Sequence, residues 1–290
     1  MAAYRIVSDS TADLTPERMQ ELGVPFIPLH VLIEGEDVTD DMHPETALAI
    51  YRAMREGKTG TTSQVSIDAF IEFWEPYLAA GEDLLYIGFS SGLSGTFNSA
   101  RLAREQLLGK YPERSLYVVD SLCASSGEGL FLEQVAALRD SGLTLTELYE
   151  KAEELKLRVH HWFTVDDLVY LRRGGRVSGA AALFATLLSI KPILNMNNEG
   201  KLIPREKVKG RSAAIKRLVE LMQEKMDVKA TPFVNICQAD CMEDAEHLTQ
   251  LIHERFPALS VRIYSTGAVI GSHSGPGTLS VFFMGEPRTV

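Results

Sequence analysis

Leu84-Leu85-Tyr86-Ile87-Gly88-Phe89-Ser90-Ser91-Gly92-Leu93-Ser94-Gly95-Thr96 joins an apolar run to a loop of glycines and hydroxyls. The apolar run predicts a strand, and Phe97, Ala100, Leu102, Ala103 and Leu107 predict a helix that begins near Thr96. The next apolar run, Leu116-Tyr117-Val118-Val119, predicts another strand. Hydroxyls and backbone N–H groups therefore meet at a helix start. Such a start suits an anionic group, because the first turn leaves N–H donors unpaired and carries the positive end of the helix dipole.

Outward from this stretch the same alternation continues. Arg5-Ile6-Val7 predicts a first strand, and Thr15-Pro16 gives an N-cap with proline at the first helical position. The segment 24–33, with two prolines, reads as extended. Helices are expected from Pro44 to about Arg55, after Ser66, and from about Glu128 to Arg139. Strands alternating with helices three times over imply a parallel sheet with crossover helices. Ligands of such sheets collect at the carboxyl ends of the strands, where Ser8, Ser90 and Ser121 are expected.

A charged helix is expected over about 146–157, and beyond it the style changes. Pro192-Ile193-Leu194-Asn195-Met196 and Leu202-Ile203-Pro204 flank Asn197-Asn198-Glu199-Gly200, a hairpin signal. Helices near 211–226 and 242–255 then alternate with strands at Phe233–Cys237, Val261–Tyr264 and Ser280–Met284. The expected fold is α/β in two domains. Residues 1–160 form a mainly parallel sheet flanked by helices, and 161–290 form an α+β domain with a mixed or antiparallel sheet.

The 290 residues suffice for two domains with large cores. A formal net charge of −10 argues against a nucleic-acid groove, which needs a basic face. No segment offers the roughly 18 to 20 uninterrupted apolar residues of a membrane span, and no apolar leader opens the chain. A cytoplasmic protein with at most peripheral membrane contact is expected. Cys123, Cys237 and Cys241 form neither a disulfide framework nor a metal-site spacing, so no metal is expected.

Four polar clusters stand out: Thr61-Thr62-Ser63-Gln64, the Ser91–Thr96 loop, Arg172-Arg173-Gly174-Gly175-Arg176, and His273-Ser274-Gly275-Pro276-Gly277. Each has a plain reading: a turn into a capped helix, a helix C-cap for the arginine–glycine run, a satisfied surface histidine. An acyl hydrolase with Ser94 and His273 as a base-activated pair is weighed against this. Gly92-Leu93-Ser94-Gly95 misses the G-x-S-x-G elbow by one position, and no acid can be nominated to orient the histidine. A dihydroxyacetone-kinase-like phosphotransfer module is the other enzymatic alternative, but neither nucleotide-phosphate loop motif is present. The segment 180–190 is apolar almost all round, which fits either plain core or the wall of a long apolar cavity.

Taken together, Val7-Ser8-Asp9-Ser10-Thr11-Ala12-Asp13-Leu14, Thr62-Ser63-Gln64, Ser91-Gly92-Leu93-Ser94-Gly95-Thr96 and Leu171-Arg172-Arg173-Gly174-Gly175-Arg176-Val177-Ser178 resemble the DegV family of bacterial fatty-acid-binding proteins. Asp166-Asp167-Leu168 just before the last of these, and Lys191-Pro192-Ile193-Leu194, Lys207-Val208-Lys209-Gly210 and Gly275-Pro276-Gly277 after it, carry the same resemblance. Val65 and Asn98 stand where proline and glutamine are expected, and neither supplies a ligand-binding hydroxyl.

The resemblance implies a protein that is not itself an enzyme and has no cofactor. It would hold one long-chain fatty acid, such as palmitate, stearate or oleate, in a tunnel between or beside the domains. By the same resemblance Thr62 and Ser94 hydrogen-bond the carboxylate, Gly95 offers a backbone N–H, and Ser63 lies beside them. Arg173, with Arg172 adjacent, and His273 would stand near the mouth. Some members present the fatty acid to a separate ATP-dependent kinase that makes an acyl phosphate. Burying about 14 to 16 methylenes at roughly 0.8 kcal/mol each gives on the order of 11 to 13 kcal/mol gross, so the tail alone can supply affinity and the head-group contacts set orientation.

Overall fold

The computed structural model describes residues 4–177 and 189–289. Of the apolar segment 180–190, residues 180–188 lie outside them. The chain opens with β1 (Tyr4–Asp9), α1 (Pro16–Glu21), β2 (Phe26–Ile27), β3 (His30–Ile33), β4 (Glu36–Thr39), α2 (Pro44–Arg55), β5 (Gly60–Ser63) and α3 (Ile67–Ala79). Next come β6 (Asp83–Gly88), α4 (Thr96–Lys110), β7 (Leu116–Asp120), α5 (Ser126–Asp140) and α6 (Leu145–Leu155). Then follow β8 (Val159–Thr164), α7 (Val169–Gly174), β9 (Ile190–Met196), β10 (Leu202–Lys209) and α8 (Arg211–Lys225). Last are β11 (Phe233–Gln238), α9 (Met242–Arg255), β12 (Ser260–Ser265), α10 (Ala268–Ser274) and β13 (Leu279–Met284).

Strands β2-β1-β6-β7 form a wholly parallel sheet, as the alternation of strands and helices implies. Thr15 and Ser66 cap α1 and α3 through their hydroxyls. The second sheet is mixed, in the order β10-β9-β8-β13-β11-β12, with β11 and β12 its parallel pair. Its β9–β10 hairpin turns where Asn197–Gly200 signalled it. The two-domain α/β architecture is thus mixed rather than antiparallel in its second part.

A third, antiparallel sheet, β4-β3-β5, differs from expectation. Thr61-Thr62-Ser63 is strand, not a turn into α3. Its side chains lack the apolar alternation that marks a half-buried strand, so its partner β3 determines it rather than its own composition. The β3–β4 hairpin turns on Glu34 and Gly35, both at positive φ, a turn geometry that matches the twist of the flanking strands.

Helix α5 lies between the two larger sheets. Ile6, Leu85 and Val119 of the parallel sheet, Leu130 and Phe131 of α5, and Cys237, Phe282 and Met284 of the mixed sheet share one core. Close approach is enforced at Gly127, where a Cβ would stand 2.2 Å from His161 Nε2. Glu133, 4% exposed, bridges Arg18 and Arg262 at 2.7 and 2.6 Å.

Glu128 on the same helix is fully buried, accepts from Thr11 Oγ1 at 3.0 Å, and has its Oε1 unpaired. Burial, with the Asp9 charge second, raises its carboxyl well above the ordinary range. The folded state therefore holds this proton more tightly than the unfolded state. The stability from it is full below the unfolded pKa and is lost as pH rises toward the folded one. Glu128→Gln, which cannot ionise, is expected to be more stable than wild type at about pH 8, with the difference shrinking toward about pH 5. Denaturant midpoints of both proteins across that range check it.

Candidate functional site

The loop 89–95 leaves the carboxyl end of β6 and is clamped against the mixed sheet. Ser90 Oγ donates to Gly200 O at 2.8 Å, and a Cβ on Gly92 would stand 2.5 Å from Glu199 O. Ser8 and Ser121, expected near a ligand, are also fully buried and bonded within the protein. All three serines of the strand ends hold the framework.

Beyond that loop is a cavity of about 200 Å³ whose described polar lining includes Thr62, Ser63, Ser94, Gly95, Arg176 and His273. Leu29, Phe89, Leu93, Leu171, Leu202 and Ile270 are among its apolar lining. An adjoining cavity of about 130 Å³ shares Thr62, Arg176 and His273 and is also lined by Arg173. Strand β5, the start of α4, the end of α7 and α10 thus bring together residues far apart in sequence.

Of the sequence-nominated residues, Thr62, Ser63, Ser94, Gly95 and His273 meet in the larger cavity, while Arg173 sits exposed on α7 in the adjoining one. Arg172 is exposed on the same helix. The arginine in the larger cavity is Arg176, which sequence reasoning did not single out. Gly175, at φ +67, ends α7 in the left-handed conformation and reverses the chain, so that residue 176 returns inward. The glycine pair carried that signal.

Arg176 Nε donates to Leu93 O at 3.2 Å, and its guanidinium also donates to Gly174 O. His273 Nε2 stands 2.7 Å from Thr62 Oγ1, so the histidine pairs with Thr62 and not with Ser94. Gly174 permits this, since a Cβ there would stand 2.3 Å from His273 Nδ1. Burial, with the Arg176 cation beside it, pushes the His273 imidazole down to about 4. The ring is therefore neutral near neutral pH, with one nitrogen donating and the other accepting.

Ser94 Oγ accepts from Thr96 N at 3.2 Å and lies 2.9 Å from Thr96 Oγ1, which itself accepts from Val65 N at 3.3 Å. If the Thr96 hydroxyl donates to Ser94, the Ser94 proton is left to point into the cavity. The same accounting applies to Thr62: an Nε2–H tautomer of His273 donates to its oxygen and leaves the Thr62 O–H for an anion. Hydroxyl donors, the α4 start and a guanidinium surround one small volume. A carboxylate fits that chemistry, because several donors offset its desolvation.

Among the described residues no three metal-ligating side chains converge. No described helix is long and apolar enough to cross a membrane.

A family model described as an uncharacterised protein of the DegV family matches residues 3–286. The chain belongs to the DegV family. A DegV domain-containing protein of Clostridium perfringens is 40% identical over 289 residues, 99% of each chain. Among solved structures, a fatty-acid-binding DegV family protein of Thermus thermophilus has 29% identity and a TM-score of 0.85, covering 97% of this chain and 99% of its own. A DegV family protein of Ruminococcus gnavus, with vaccenic acid, has 26% identity and the same TM-score of 0.85 over 97% and 100%. Structurally similar DegV proteins thus bind fatty acids.

Proposed function

We propose that this DegV protein binds a long-chain fatty acid with its carboxylate in the Thr62–Ser94 cavity and its chain running along the apolar lining. The observation that carries this is the mixed lining of one cavity, where hydroxyls, a helix start and Arg176 meet leucines, an isoleucine and a phenylalanine. Thr62 and Ser94 donate to the carboxylate, Gly95 adds its N–H, and Ser63 lies beside them. Neutral His273 holds Thr62 with its proton toward the ligand. Arg176 supplies the cation, and Arg173 faces the adjoining cavity at the mouth. The cavity's volume is below the roughly 300–1,000 Å³ that encloses a drug-sized ligand, so it accounts for the head group and the first methylenes, with the rest of the chain in a tunnel beside the two domains, 1–160 and 161–290.

Calorimetric titration with oleate and with its methyl ester tests this. Binding of oleate with loss of most affinity for the ester supports it, and equal binding of both removes the carboxylate site.

The protein, placed in the cytoplasm, would then present the acid to a separate ATP-dependent kinase, supplying position while the partner supplies nucleotide and metal. In a reconstituted kinase assay, His273→Ala is expected to lower acyl-phosphate formation by about 10-fold or more, because the Thr62 hydroxyl loses its partner. Unchanged formation would remove His273 from the mechanism. A hydrolase reading finds less support: among the described residues no acidic side chain hydrogen-bonds His273 Nδ1, so the Thr62–His273 pair lacks the third group that orients a base.

A further inference from the structure

Two walls of the cavity lead to two buried carboxyl groups outside it. Asp13 is 1% exposed and has a left-handed backbone at φ 44. Its Oδ2 accepts from Ser125 Oγ at 2.5 Å, while Oδ1 has no hydrogen bond of good geometry. A Cβ on Gly267 would stand 2.5 Å from that Oδ1 and 3.2 Å from Asp40 Oδ2, so both carboxyl groups meet the same turn.

Each partner of Asp13 leads to the cavity. Ser125 precedes α5 at φ 55 and ψ −155, a region essentially reserved for glycine, and its neighbour Ala124 lines the cavity. Gly267 precedes α10, which carries Val269, Ile270 and His273 into the cavity. Asp40 Oδ2 accepts from Val269 N at 3.1 Å, and Tyr51 donates to Thr266 O at 2.6 Å. A strained loop is thus held by Asp13 and a short helix by Asp40, with the Gly267 turn against both carboxyl groups.

We propose that Asp13 is a positioning residue for the ligand cavity: while protonated it lets the 122–125 loop and α10 pack against one another, and losing its proton drives them apart. The inference rests on the fatty-acid reading of that cavity. The titratable groups facing Asp13 are Asp9 at the end of β1, Asp40 before α2, Tyr51 on α2, Glu128 on α5 and Cys237 on β11, and none is a cation. Burial, then the Asp40 charge, raise the Asp13 carboxyl well above the ordinary range, and burial raises Asp40 to about 6. Both carboxyl groups thus hold their protons to higher pH than an exposed aspartate does. Ionising Asp13 sets two carboxylates against one turn in a dry interior: the Ser125 hydrogen bond tightens, and the repulsion pushes Asp40 and α10 away from the loop that Asp13 holds.

Asp13→Asn tests this, since asparagine keeps the acceptor for Ser125, tolerates the left-handed backbone and cannot ionise. In wild type, oleate affinity should weaken by about fivefold or more from about pH 6.5 to about pH 9, a range in which the ligand carboxylate and His273 do not titrate. In Asp13→Asn the affinity should stay flat over that range, and a pH profile identical to wild type overturns the proposal. The ligand-free His273 ring resonance provides an independent readout, with an inflection above about pH 6.5 in wild type that the variant lacks. That inflection without any oleate binding would sink the fatty-acid reading and leave the positioning role standing; binding with neither difference would do the reverse. Should Asp13→Asn not fold, Asp40→Asn should move the inflection to lower pH, and an unmoved inflection counts against the pair.

Discussion

The double variant Thr62→Ala/Ser94→Ala is expected to lose about 3 to 6 kcal/mol of fatty-acid affinity, at about 1.5 to 3 kcal/mol for each hydrogen bond to a charged group. In the proposed site both hydroxyls serve one carboxylate, so the sum is an upper bound and coupling between them reduces it. Stability should change far less, because Thr62 is half-buried on an outer strand and Ser94 bonds only its own helix start. Calorimetry with oleate together with a thermal melt separates the two effects. An unchanged affinity would place the head group elsewhere.

Gly92→Ala is expected to act on both fold and ligand. Its Cβ would stand 2.5 Å from Glu199 O and 2.7 Å from Gly200 O, and backbone atoms of a tight turn cannot rotate aside as a flexible side chain can. Either the 89–95 loop or the β9–β10 turn must move, at about 1 to 3 kcal/mol, the ordinary cost of overpacking. Movement of the loop carries Ser94 and Gly95 with it. Oleate affinity should therefore fall by about 10-fold or more, since a displacement near 1 Å already breaks hydrogen-bond geometry. Wild-type melting and affinity in this variant would mean that the contact between loop and turn does not position the head-group site.

Much of the fold was legible because strong periodic signals and caps coincided. Thr15-Pro16 and Ser66 marked helix starts that the structure retains, and Asn197–Gly200 marked the hairpin. What was not legible depended on partners distant in sequence. Strand β5 has no apolar face of its own and exists because β3 pairs with it, and β4 exists because Glu34 and Gly35 turn the chain back. Of the buried helices, α5 gave no sign in its own run that both its faces are covered, because one of those faces meets β11 and β13, far along the chain, as well as β8.

The site shows the same division. Thr62, Ser94 and Gly95 were visible as hydroxyls and glycine around a helix start, and the structure brings them to one cavity with His273. Arg173 and Arg176 lie three residues apart, and nothing in their types distinguishes them. The left-handed Gly175 between them does, by ending α7 before Arg176 can continue along its exposed face. The buried carboxyl groups Asp9, Asp13 and Glu128 were equally hidden, because the groups that meet them, Tyr86 and Phe89, Ser125, and Thr11, are distant in sequence.

Mass spectrometry of the purified protein, extracted under denaturing conditions, tests the central claim most directly. A long-chain fatty acid at near-stoichiometric amount, lost from the Thr62→Ala/Ser94→Ala protein, is the expected result. No fatty acid in the wild-type extract, even after incubation with oleate or palmitate, would contradict it.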